Sequence, residues 1–599
     1  MKKILIPLAI CGLFLVGCSQ ERLDIPQKGV ISLESFYQTD ADAEQALVAA
    51  YDAVASNYMT PRWNDNWVIS LFTYLGDDMY AAGNNKNDND DQNQLNSFRT
   101  LTTNGIVRSA YQGLYTAIYS ANLAIDHFKD GLPEGGQTAT TQRVVAEAKV
   151  LRALSYLYLA LGWGTPPIVD HVLDPSEDKP GNAASQNEVF DFIIQDCNEA
   201  LPYLTERQGP NDKNGAVRVT KALANTIKGK ALVWKGDYAA AQDALAAVIN
   251  TGNYALVPSE ELFDNFHIKG DGNSEKVFEL NLVYDSNIGG YTNHAGNNMP
   301  WLWNWRNDKM TIPNGAGSVM YATGWGACNP TEKFIEKLIA NDGMDSYRRK
   351  AWVKTYDEVL YELPYQTDDY EYDFQKGEFI KDADNKNIPR KTPLTLEEKQ
   401  KDPTRGVQSA EGLYGHCGWF MWKLNIQKQD LSNNNRTMMN TRIFRYTEVL
   451  FLFMECALQT GKDKDKALQY LNDIQRRAGA KHISSELTLQ EVKNEKMLEC
   501  WLEGLRFHDL VRWGDTDELN MNGREYPNFQ DRITFSSKEE EATGLPKTAV
   551  HTGYVNKNDA AWCVNLYSTA GFKKGTNELL PFPFSETSVN ENIVQNPGY

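Results

Sequence analysis

Apolar side chains recur every three or four positions through the first third of the chain. This spacing places them on one face of an α-helix and predicts three amphipathic helices. The third helix should end where Gly162, Gly164, Pro166 and Pro167 follow in quick succession, because glycine and proline terminate helices. The three apolar sets are Leu47, Ala50, Tyr51 and Val54; Tyr111, Leu114, Tyr115, Ile118 and Ile125; and Leu151, Leu154, Tyr158 and Leu161.

Two later stretches each have the pattern of a helix, a tight turn and a second helix. The turns fall at Gly236 and at Gly461. Such pairs resemble tetratricopeptide units of about 34 residues, which bury their apolar faces by stacking on one another. The predicted helices are 221–234 with 239–249, and 446–457 with 467–474. A further helix is predicted with four apolar residues on one face: Leu498, Trp501, Leu502 and Leu505. The expected fold class is mostly α, with degenerate repeats rather than one continuous solenoid.

Between the two helix pairs the pattern changes. Residues 261–440 are rich in Gly, Asn, Asp, Tyr and Trp, with short strand-like runs such as 277–283. An irregular stretch of this length exceeds ordinary connecting loops, and insertions on a rigid scaffold are where binding residues concentrate. We expect one domain from 18 to 599, whose parts are an N-terminal helical part, 18–260; a ligand-binding insertion, 261–440; C-terminal repeats, 441–520; and an irregular C-terminal part, 521–599.

The first seventeen residues have the pattern of a secretory signal. Lys2 and Lys3 precede an apolar run that is too short for a stable transmembrane helix. The run closes with Leu-Val-Gly and Cys18, which resembles a bacterial lipobox and predicts a mature protein that begins at a lipid-modified Cys18. A plain secreted protein is the alternative. Removing this signal changes the formal charge from -19 to -21, and such an acidic surface argues against nucleic acid as a partner.

The sharpest binding candidate is the segment from Pro300 to Trp305. In an extended chain, alternate residues share a face, so Trp301, Trp303 and Trp305 would form one aromatic surface. Flat aromatic rings stack on the C–H faces of sugars, and nearby polar groups can bond to hydroxyls. Neighbouring candidates of both kinds are Tyr291, Asn293, Arg306 and Trp325. The alternative is that some of these indoles anchor the insertion to the helices.

A second aromatic and polar group includes Trp67, Asp77 and Tyr80. We include these three residues in the predicted ligand site, although the sequence Gly76-Asp77-Asp78 equally suits a turn after a helix. The run from Asp88 to Asp91 has calcium-like ligands but lacks the glycine and the distal glutamate of an EF-hand. We therefore interpret it as a solvated loop, and we expect neither a metal nor a cofactor.

Chemical signatures of catalysis are missing from the sequence. It contains no HExxH, GxSxG, P-loop or GxGxxG motif. Glu503, Arg506, Asp509 and Arg512 recur every three residues, which favours ion pairs that fix helix packing over an active site. We expect a protein that is not an enzyme. A glycosidase needs only two placed carboxylates, so that alternative stays open, as does an adaptor that binds proteins through its repeats.

Motifs spread over nearly the whole chain resemble the SusD/RagB family of Bacteroidetes outer-membrane lipoproteins. Each motif alone is weak, but their order together with the lipobox is specific. They are Tyr119-Ser-Ala-Asn122, Glu147-Ala-Lys-Val-Leu-Arg152, Gly164-Thr-Pro-Pro167, Arg218-Val-Thr-Lys221, Gly236-Asp-Tyr238, Arg445-Tyr-Thr-Glu-Val449, Glu503-Gly-Leu-Arg506-Phe-His-Asp509-Leu-Val-Arg512-Trp513, Leu580-Pro-Phe-Pro583 and Gln595-Asn-Pro-Gly-Tyr599.

The resemblance implies a helical scaffold that sits over a SusC-like TonB-dependent transporter in the outer membrane. Such a protein is anchored through its N-terminal lipid, faces the cell exterior, and captures an oligosaccharide or polysaccharide before import. Some members are implied to bind peptides instead, and that variant is the alternative ligand class. The early loop around Trp67 to Tyr80 corresponds to one that the family contributes to glycan binding.

Overall fold

The protein is described from a computed structural model. The described residues are 36–59, 68–81, 89–281, 297, 299–304, 326–355, 358, 366–402, 419–430, 437–520 and 571–599. Cys18 lies outside them, so the predicted lipid attachment stays a prediction.

Helices dominate the described residues, as the periodicity predicts. The α-helices are α1 Asp40–Met59, α2 Val68–Tyr74, α3 Asp90–Asn96, α4 Gly105–Phe128, α5 Ala139–Trp163, α6 Gln186–Ala200, α7 Lys213–Ala216, α8 Lys221–Lys235, α9 Tyr238–Ile249, α10 Met299–Trp303, α11 Glu332–Asp342, α12 Tyr347–Trp352, α13 Gln366–Asp369, α14 Leu396–Lys401, α15 Tyr446–Thr460, α16 Lys464–Ala478, α17 Leu489–Glu499, α18 Arg506–Trp513 and α19 Phe584–Thr587. The strands are β1 Met79–Ala81, β2 Lys276–Leu280, β3 Cys328–Pro330, β4 Val353–Thr355, β5 Tyr372–Asp373, β6 Glu378–Phe379, β7 Trp419–Met421 and β8 Thr441–Arg445.

The three N-terminal helices of the sequence analysis correspond to α1, α4 and α5. Thr138 caps α5 in a reciprocal capping box, which satisfies free N–H groups of its first turn. The helix ends at Trp163 and is followed by Gly164 with φ of 75°, a backbone angle that suits glycine. Asn122, on the buried face of α4, donates to the carbonyls of Val169 and His171, both at 3.0 Å. These two bonds tie the loop after α5 back to α4.

The helix pairs α8–α9 and α15–α16 confirm the predicted helix–turn–helix units. Gly236 and Gly461 end the first helix of each pair in the left-handed conformation, with φ of 79° and 75°. A Cβ on Gly229 of α8 would lie 2.8 Å from Cγ of Leu245 on α9, so glycine permits the close approach of these two helices. The units also contact each other, because α9 packs against α15.

One helix prediction is wrong. Leu498, Trp501, Leu502 and Leu505 do not share a single helix, since α17 ends at Glu499 and α18 begins at Arg506. Leu502 adopts φ of 62°, which an α-helix does not allow. All four side chains are nevertheless buried, because a turn can direct apolar residues into the core as well as a helix can.

In the described part of the chain the strands form four two-stranded antiparallel ladders rather than one sheet. They pair β1 with β3, β2 with β8, β4 with β7, and β5 with β6. The first three ladders are largely buried, and β3 also packs against β7. The strand-like run predicted at 277–283 corresponds to β2, Lys276–Leu280. The range 261–440 also holds helices such as α11, so it is less irregular than its composition suggests.

Cys197, Cys456 and Cys500 are buried free thiols, and burial raises the pKa of Cys456 to about 12. Within the described part of the chain, no helix combines the length and apolarity that crossing a lipid bilayer requires.

Candidate ligand-binding site

Three buried ladders, β1–β3, β4–β7 and β2–β8, share an arrangement, and we call them the ladder frame. At one end of each ladder the chain continues into a stretch outside the described residues. In the β1–β3 ladder, Ala81 lies opposite Cys328. The chain therefore enters 82–88 at the same end of the ladder at which it comes back from 305–325. In β4–β7, Thr355 pairs with Trp419 beside 403–418. In β2–β8, Leu280 pairs with Thr441, which brings together the roots of 282–296 and 431–436.

Hydrogen bonds close the bases of these stretches. The N–H of Gly326 donates to the carbonyl of Asn304 at 2.6 Å, so the two ends of 305–325 meet. The N–H of Asn297 donates to the carbonyl of Thr437 at 3.1 Å, and the Thr437 hydroxyl donates back to the carbonyl of Asn297. Asn425 donates to the side-chain oxygen of Asn304 at 3.1 Å, which links the first base to the chain after β7. The frame therefore fixes both ends of 305–325 and joins the end of 282–296 to that of 431–436.

The ladder frame also unites the two aromatic groups found in the sequence. β1 contains Tyr80 of the group that also includes Trp67 and Asp77, β3 follows the group between Tyr291 and Trp325, and Tyr80 pairs with Asn329 across the ladder. The indole of Trp303 donates to the hydroxyl of Tyr74 at 3.1 Å, and their ring centroids are 6.4 Å apart. Segments more than 200 residues apart thus meet at one place through a buried aromatic contact.

An ion pair between Asp77 and Arg506 joins the turn before β1 to the start of α18. The Arg506 guanidinium donates to both carboxylate oxygens, at 2.6 and 3.0 Å, and Lys333 is a third partner. Burial alone would raise the pKa of Asp77, but the two cations outweigh it and hold the pKa below its usual value. The adjacent Asp78 has the opposite shift: burial, and then the charge of Asp77, raise its pKa. The Thr331 hydroxyl donates to the carbonyl of Asp77 and the Trp501 indole donates to the carbonyl of Asp78, both at 3.1 Å. The turn at Asp77 is therefore bonded to three other parts of the chain: 331–333, Trp501 and Arg506.

The far end of the β2–β8 ladder is held by a second group of buried charges. Arg445 contacts Glu275 at 2.7 Å and Glu503 at 2.7 Å by both Nε and Nη2. Arg477 contacts Glu275 and lies 2.6 Å from Glu499. Burial opposes ionisation of Glu275, yet Arg477 and Arg445 outweigh it and lower its pKa to about 2. The expectation that the charges around 503–512 fix packing is confirmed, although most partners come from other elements rather than from the same helix.

The predicted site residues fall into two groups. Trp67, Tyr291, Asn293, Trp305, Arg306 and Trp325 lie outside the described residues, and of Trp301 only the backbone, in α10, is described. The side chains of Trp303, Asp77 and Tyr80 are described, and they are 1%, 0% and 1% exposed. These three residues support the frame, and their burial leaves no ring face or carboxylate for a ligand.

The aromatic surface proposed for 300–305 also needs correction. The extended conformation is wrong for its first part, because Met299–Trp303 is a helix. Residues two apart on an α-helix point in nearly opposite directions, so the argument from alternation along an extended chain does not apply to 299–303. The sequence interpretation gave Arg506 a packing role but did not identify Asp77 as its partner, and it missed the supporting roles of Tyr74 and Lys333. Sequence spacing gave no signal for them, since Asp77 and Arg506 are 429 residues apart.

Within the part of the chain that the structure describes, no group of three or more His, Cys, Asp or Glu side chains is arranged to hold an ion. The run from Asp88 to Asp91 was interpreted as a loop, but its described residues begin a helix. Asn89 accepts from the N–H of Gln92 and caps α3, whose first turn carries Asp90 and Asp91. Carboxylates are favourable there because of the helix dipole.

These features define a class: helical-repeat proteins in which long insertions between the helix pairs are rooted on buried strand ladders. The model of the SusD family matches residues 275–599, more than half of the chain, and the chain belongs to this family. The resemblance noted from the motifs is therefore confirmed.

Curated relatives and solved structures agree with this assignment. The chain is 24% identical to SusD-like protein P2 of Formosa agariphila over 547 residues, which covers 88% of this chain and 94% of that protein. A SusD-like protein of Bacteroides ovatus is 22% identical, with coverages of 86% and 83%. The solved structure of a laminarin binding SusD-like protein has a TM-score of 0.65 at 22% identity. The match covers 94% of this chain and 100% of the chain in that structure. Surface glycan-binding protein A of Bacteroides thetaiotaomicron, solved with laminarihexaose, has a TM-score of 0.65 at 21% identity, with coverages of 93% and 100%. The mostly helical fold class is confirmed.

Proposed function

We propose that this protein captures an oligosaccharide or polysaccharide at the cell surface and delivers it to a SusC-like TonB-dependent transporter. In this proposal Cys18 carries the lipid that anchors the protein to the outer membrane. The ligand contacts are the candidates in the insertions: Trp67, Tyr291, Asn293, Trp301, Trp305, Arg306 and Trp325.

The observation that carries the proposal is the ladder frame. It roots 82–88, 282–296 and 305–325 at ladder ends, and the last two stretches contain most of the aromatic and amide candidates. A rigid base reduces the conformational entropy that a loop loses when it binds a ligand. One solved structure of the same fold is named as a laminarin binding protein and another contains laminarihexaose. A laminarin-type glucan is therefore the first ligand to test.

We also propose that the protein binds its ligand without chemical change. Asp77 is held ionised by its pair with Arg506, and the adjacent Asp78, whose pKa burial raises, is only 3% exposed, so a substrate does not reach it. A carboxylate held ionised by such partners is a poor proton donor, and a glycosidase requires one acid of raised pKa. Tethering beside a transporter would make delivery efficient, because it raises the effective concentration of the captured glycan at the pore.

A ligand panel tests this function. The mature chain without its signal, with Cys18 replaced by serine, is titrated calorimetrically with laminarin, laminarihexaose, other neutral and acidic polysaccharides, and mixed peptides. Saturable binding of at least one glycan with unchanged ligand recovered by chromatography is the expected result. Binding of peptides alone would refute the glycan assignment, and shortened glycan products would favour a hydrolase.

Single substitutions then locate the site. Trp305→Ala and Trp325→Ala should each weaken glycan binding by roughly two- to tenfold, because an aromatic contact is worth about 0.5–1.5 kcal/mol. Tyr203→Ala is a matched control, since Tyr203 is 48% exposed and is none of the predicted ligand contacts. Equal affinities for all three variants would show that neither Trp305 nor Trp325 contacts the glycan. Co-purification with a TonB-dependent barrel from the native membrane tests the partner.

A further inference from the structure

The turn before β1 carries two adjacent carboxyl groups with different surroundings. The Asp77 carboxylate is paired with Arg506 and Lys333. Asp78 is only 3% exposed, yet among the described residues it forms no ion pair, and no other residue's N–H or O–H donates to its carboxyl group. A buried carboxyl group without such partners is more stable with its proton than without it.

The backbone around Gly76 offers an acceptor for that proton. A Cβ placed on Gly76 would lie 2.6 Å from Asp78 Oδ1 and 3.3 Å from the carbonyl oxygen of Thr73. The carboxyl group of Asp78 therefore folds back over Gly76 towards the end of α2, where the Thr73 carbonyl accepts the N–H of Gly76 at 3.0 Å. A carbonyl oxygen has two lone pairs, so it can accept a second bond from a protonated Asp78. The same oxygen repels an ionised carboxylate.

The other charges around this turn do not neutralise Asp78. Arg506 of α18 and Lys333 of α11 favour its ionised form, but both are bound to Asp77. Burial, and then the charge of Asp77, outweigh them and raise the pKa of Asp78 from its ordinary value of 3.8 to about 7. Neither α2 nor β3 contains a charged residue. The remaining charged groups of the surrounding elements interact with the two cations: Lys337, Asp509 and Glu518.

This turn is bonded to the roots of two insertions. Its carbonyls accept from the Thr331 hydroxyl and the Trp501 indole, and β1 begins directly after it. Ionisation of Asp78 places a second negative charge beside Asp77 in a buried turn, and water solvates that charge only if the turn opens. Opening breaks bonds that position the β1–β3 ladder, from which 82–88 leaves and to which 305–325 returns.

We propose that Asp78 is a pH-sensitive switch, which holds the turn closed when it is protonated and loosens the β1–β3 ladder when it is ionised. The folded protein keeps the Asp78 proton at pH values where the unfolded chain has lost it. Stability therefore falls as the pH rises from 3.8 to about 7, and the loss is complete above that range. Ligand capture by the insertions, a part that rests on the proposed function, should weaken over the same range.

Asp78→Asn tests the switch, because an amide has the size of a neutral carboxyl group and cannot ionise. Urea unfolding of the mature chain, followed by tryptophan fluorescence from pH 5 to pH 9, gives the folding equilibrium constants of wild type and variant. The ratio of variant to wild type should rise about tenfold per pH unit up to pH 7 and then level off. Asp271 and Lys276 also titrate here, with pKa values of about 6 and about 7, but both proteins contain them, so their effects cancel in the ratio. A ratio that is independent of pH would overturn the proposal.

Asp345→Asn is the matched control, since the Asp345 side chain is 97% exposed, and its ratio to wild type should stay constant with pH. If Asp78→Asn does not fold, hydrogen exchange of the wild-type chain decides. After correction for intrinsic exchange rates, the protection of β1 and β3 should fall more between pH 6 and pH 8 than that of α8 and α9. Equal changes in the two regions would refute the switch.

Laminarin titrations at pH 6 and pH 8 test the link to ligand capture. Wild type should bind more weakly at pH 8, whereas Asp78→Asn should bind equally at both values. Equal wild-type affinities would refute this link. Absence of glycan binding at either pH would count against the proposed function alone, because the unfolding and exchange measurements need no ligand.

Discussion

Replacement of Arg506 by methionine should destabilise the protein strongly, because it removes the main partner of a buried carboxylate. Arg506 donates to both oxygens of Asp77 at 2.6 and 3.0 Å. The Asp77 side chain is 0% exposed and that of Arg506 is 11% exposed. Removal of one partner of such a pair leaves a buried charge uncompensated, which costs about 3–5 kcal/mol.

The lower part of that range is expected because Lys333 remains. Lys333 also contacts Asp77, but its side chain is 19% exposed and it is shared with Glu518. It therefore compensates only part of the carboxylate's charge, and we expect a loss of about 3 kcal/mol for Arg506→Met. The double variant Asp77→Asn/Arg506→Met removes both charges and should recover part of the lost stability, since no uncompensated carboxylate remains.

Urea unfolding followed by tryptophan fluorescence measures these differences. Lys129→Met is the matched control, because Lys129 pairs with Asp126 at 3.3 Å with side-chain exposures of 55% and 22%. An exposed pair of this kind contributes about 1 kcal/mol or less. The reasoning is refuted if Arg506→Met costs no more than the control, or if the double variant is less stable than Arg506→Met.

Three further predictions concern the core. Glu275→Gln should flatten the acid dependence of stability: the wild-type carboxylate, with its pKa lowered to about 2, contributes stability above pH 4.5 that is lost as the pH falls from 4.5 towards 2. Urea unfolding between pH 6 and pH 2 checks this, with exposed Glu486→Gln as control, and parallel curves for wild type and Glu275→Gln would contradict it. Trp303→Ala should cost about 3–5 kcal/mol because it empties a buried site; a stable variant that no longer binds glycan would show that this indole contacts the ligand. Gly229→Leu should cost about 1–3 kcal/mol by forcing α8 and α9 apart, whereas Asn225→Leu on the same helix should change thermal unfolding little, and equal effects would refute the close-packing argument.

The sequence predicts the helical part of this fold well because its signals are local. The apolar periodicity of 221–234 and the glycine at 236 anticipate α8 and its end, since both depend on neighbouring residues. The prediction fails at Leu502, where the apolar spacing suits a helix but the chain turns with φ of 62°. There the contacts of Glu503 with Arg445 and Lys423, made across 58 and 80 residues, hold a conformation that local propensity does not encode.

At the candidate site, too, features set by neighbouring residues could be predicted, whereas features set by long-range contacts could not. Residue types drew attention to Asp77, Tyr80 and Trp303, and all three do lie at the meeting point of the two aromatic groups. Their burial could not be predicted, because it depends on β1 pairing with β3 across about 250 residues. Alternation along Trp301 and Trp303 suggested a strand, yet five residues are too few to separate the period of a strand from that of a helix.

The ladder frame has a consequence for how such proteins diversify. Ladder pairs lie at the starts of two of these stretches: Ala81, which precedes 82–88, lies opposite Cys328, and Leu280, which precedes 282–296, lies opposite Thr441. Because the ladder hydrogen bonds join residues outside 82–88 and 282–296, substitutions within these stretches leave the ladders in place. If the ligand contacts lie there, as we propose, ligand specificity can change while the scaffold is retained, and a relative's segment grafted onto the same ladder end should transfer its specificity.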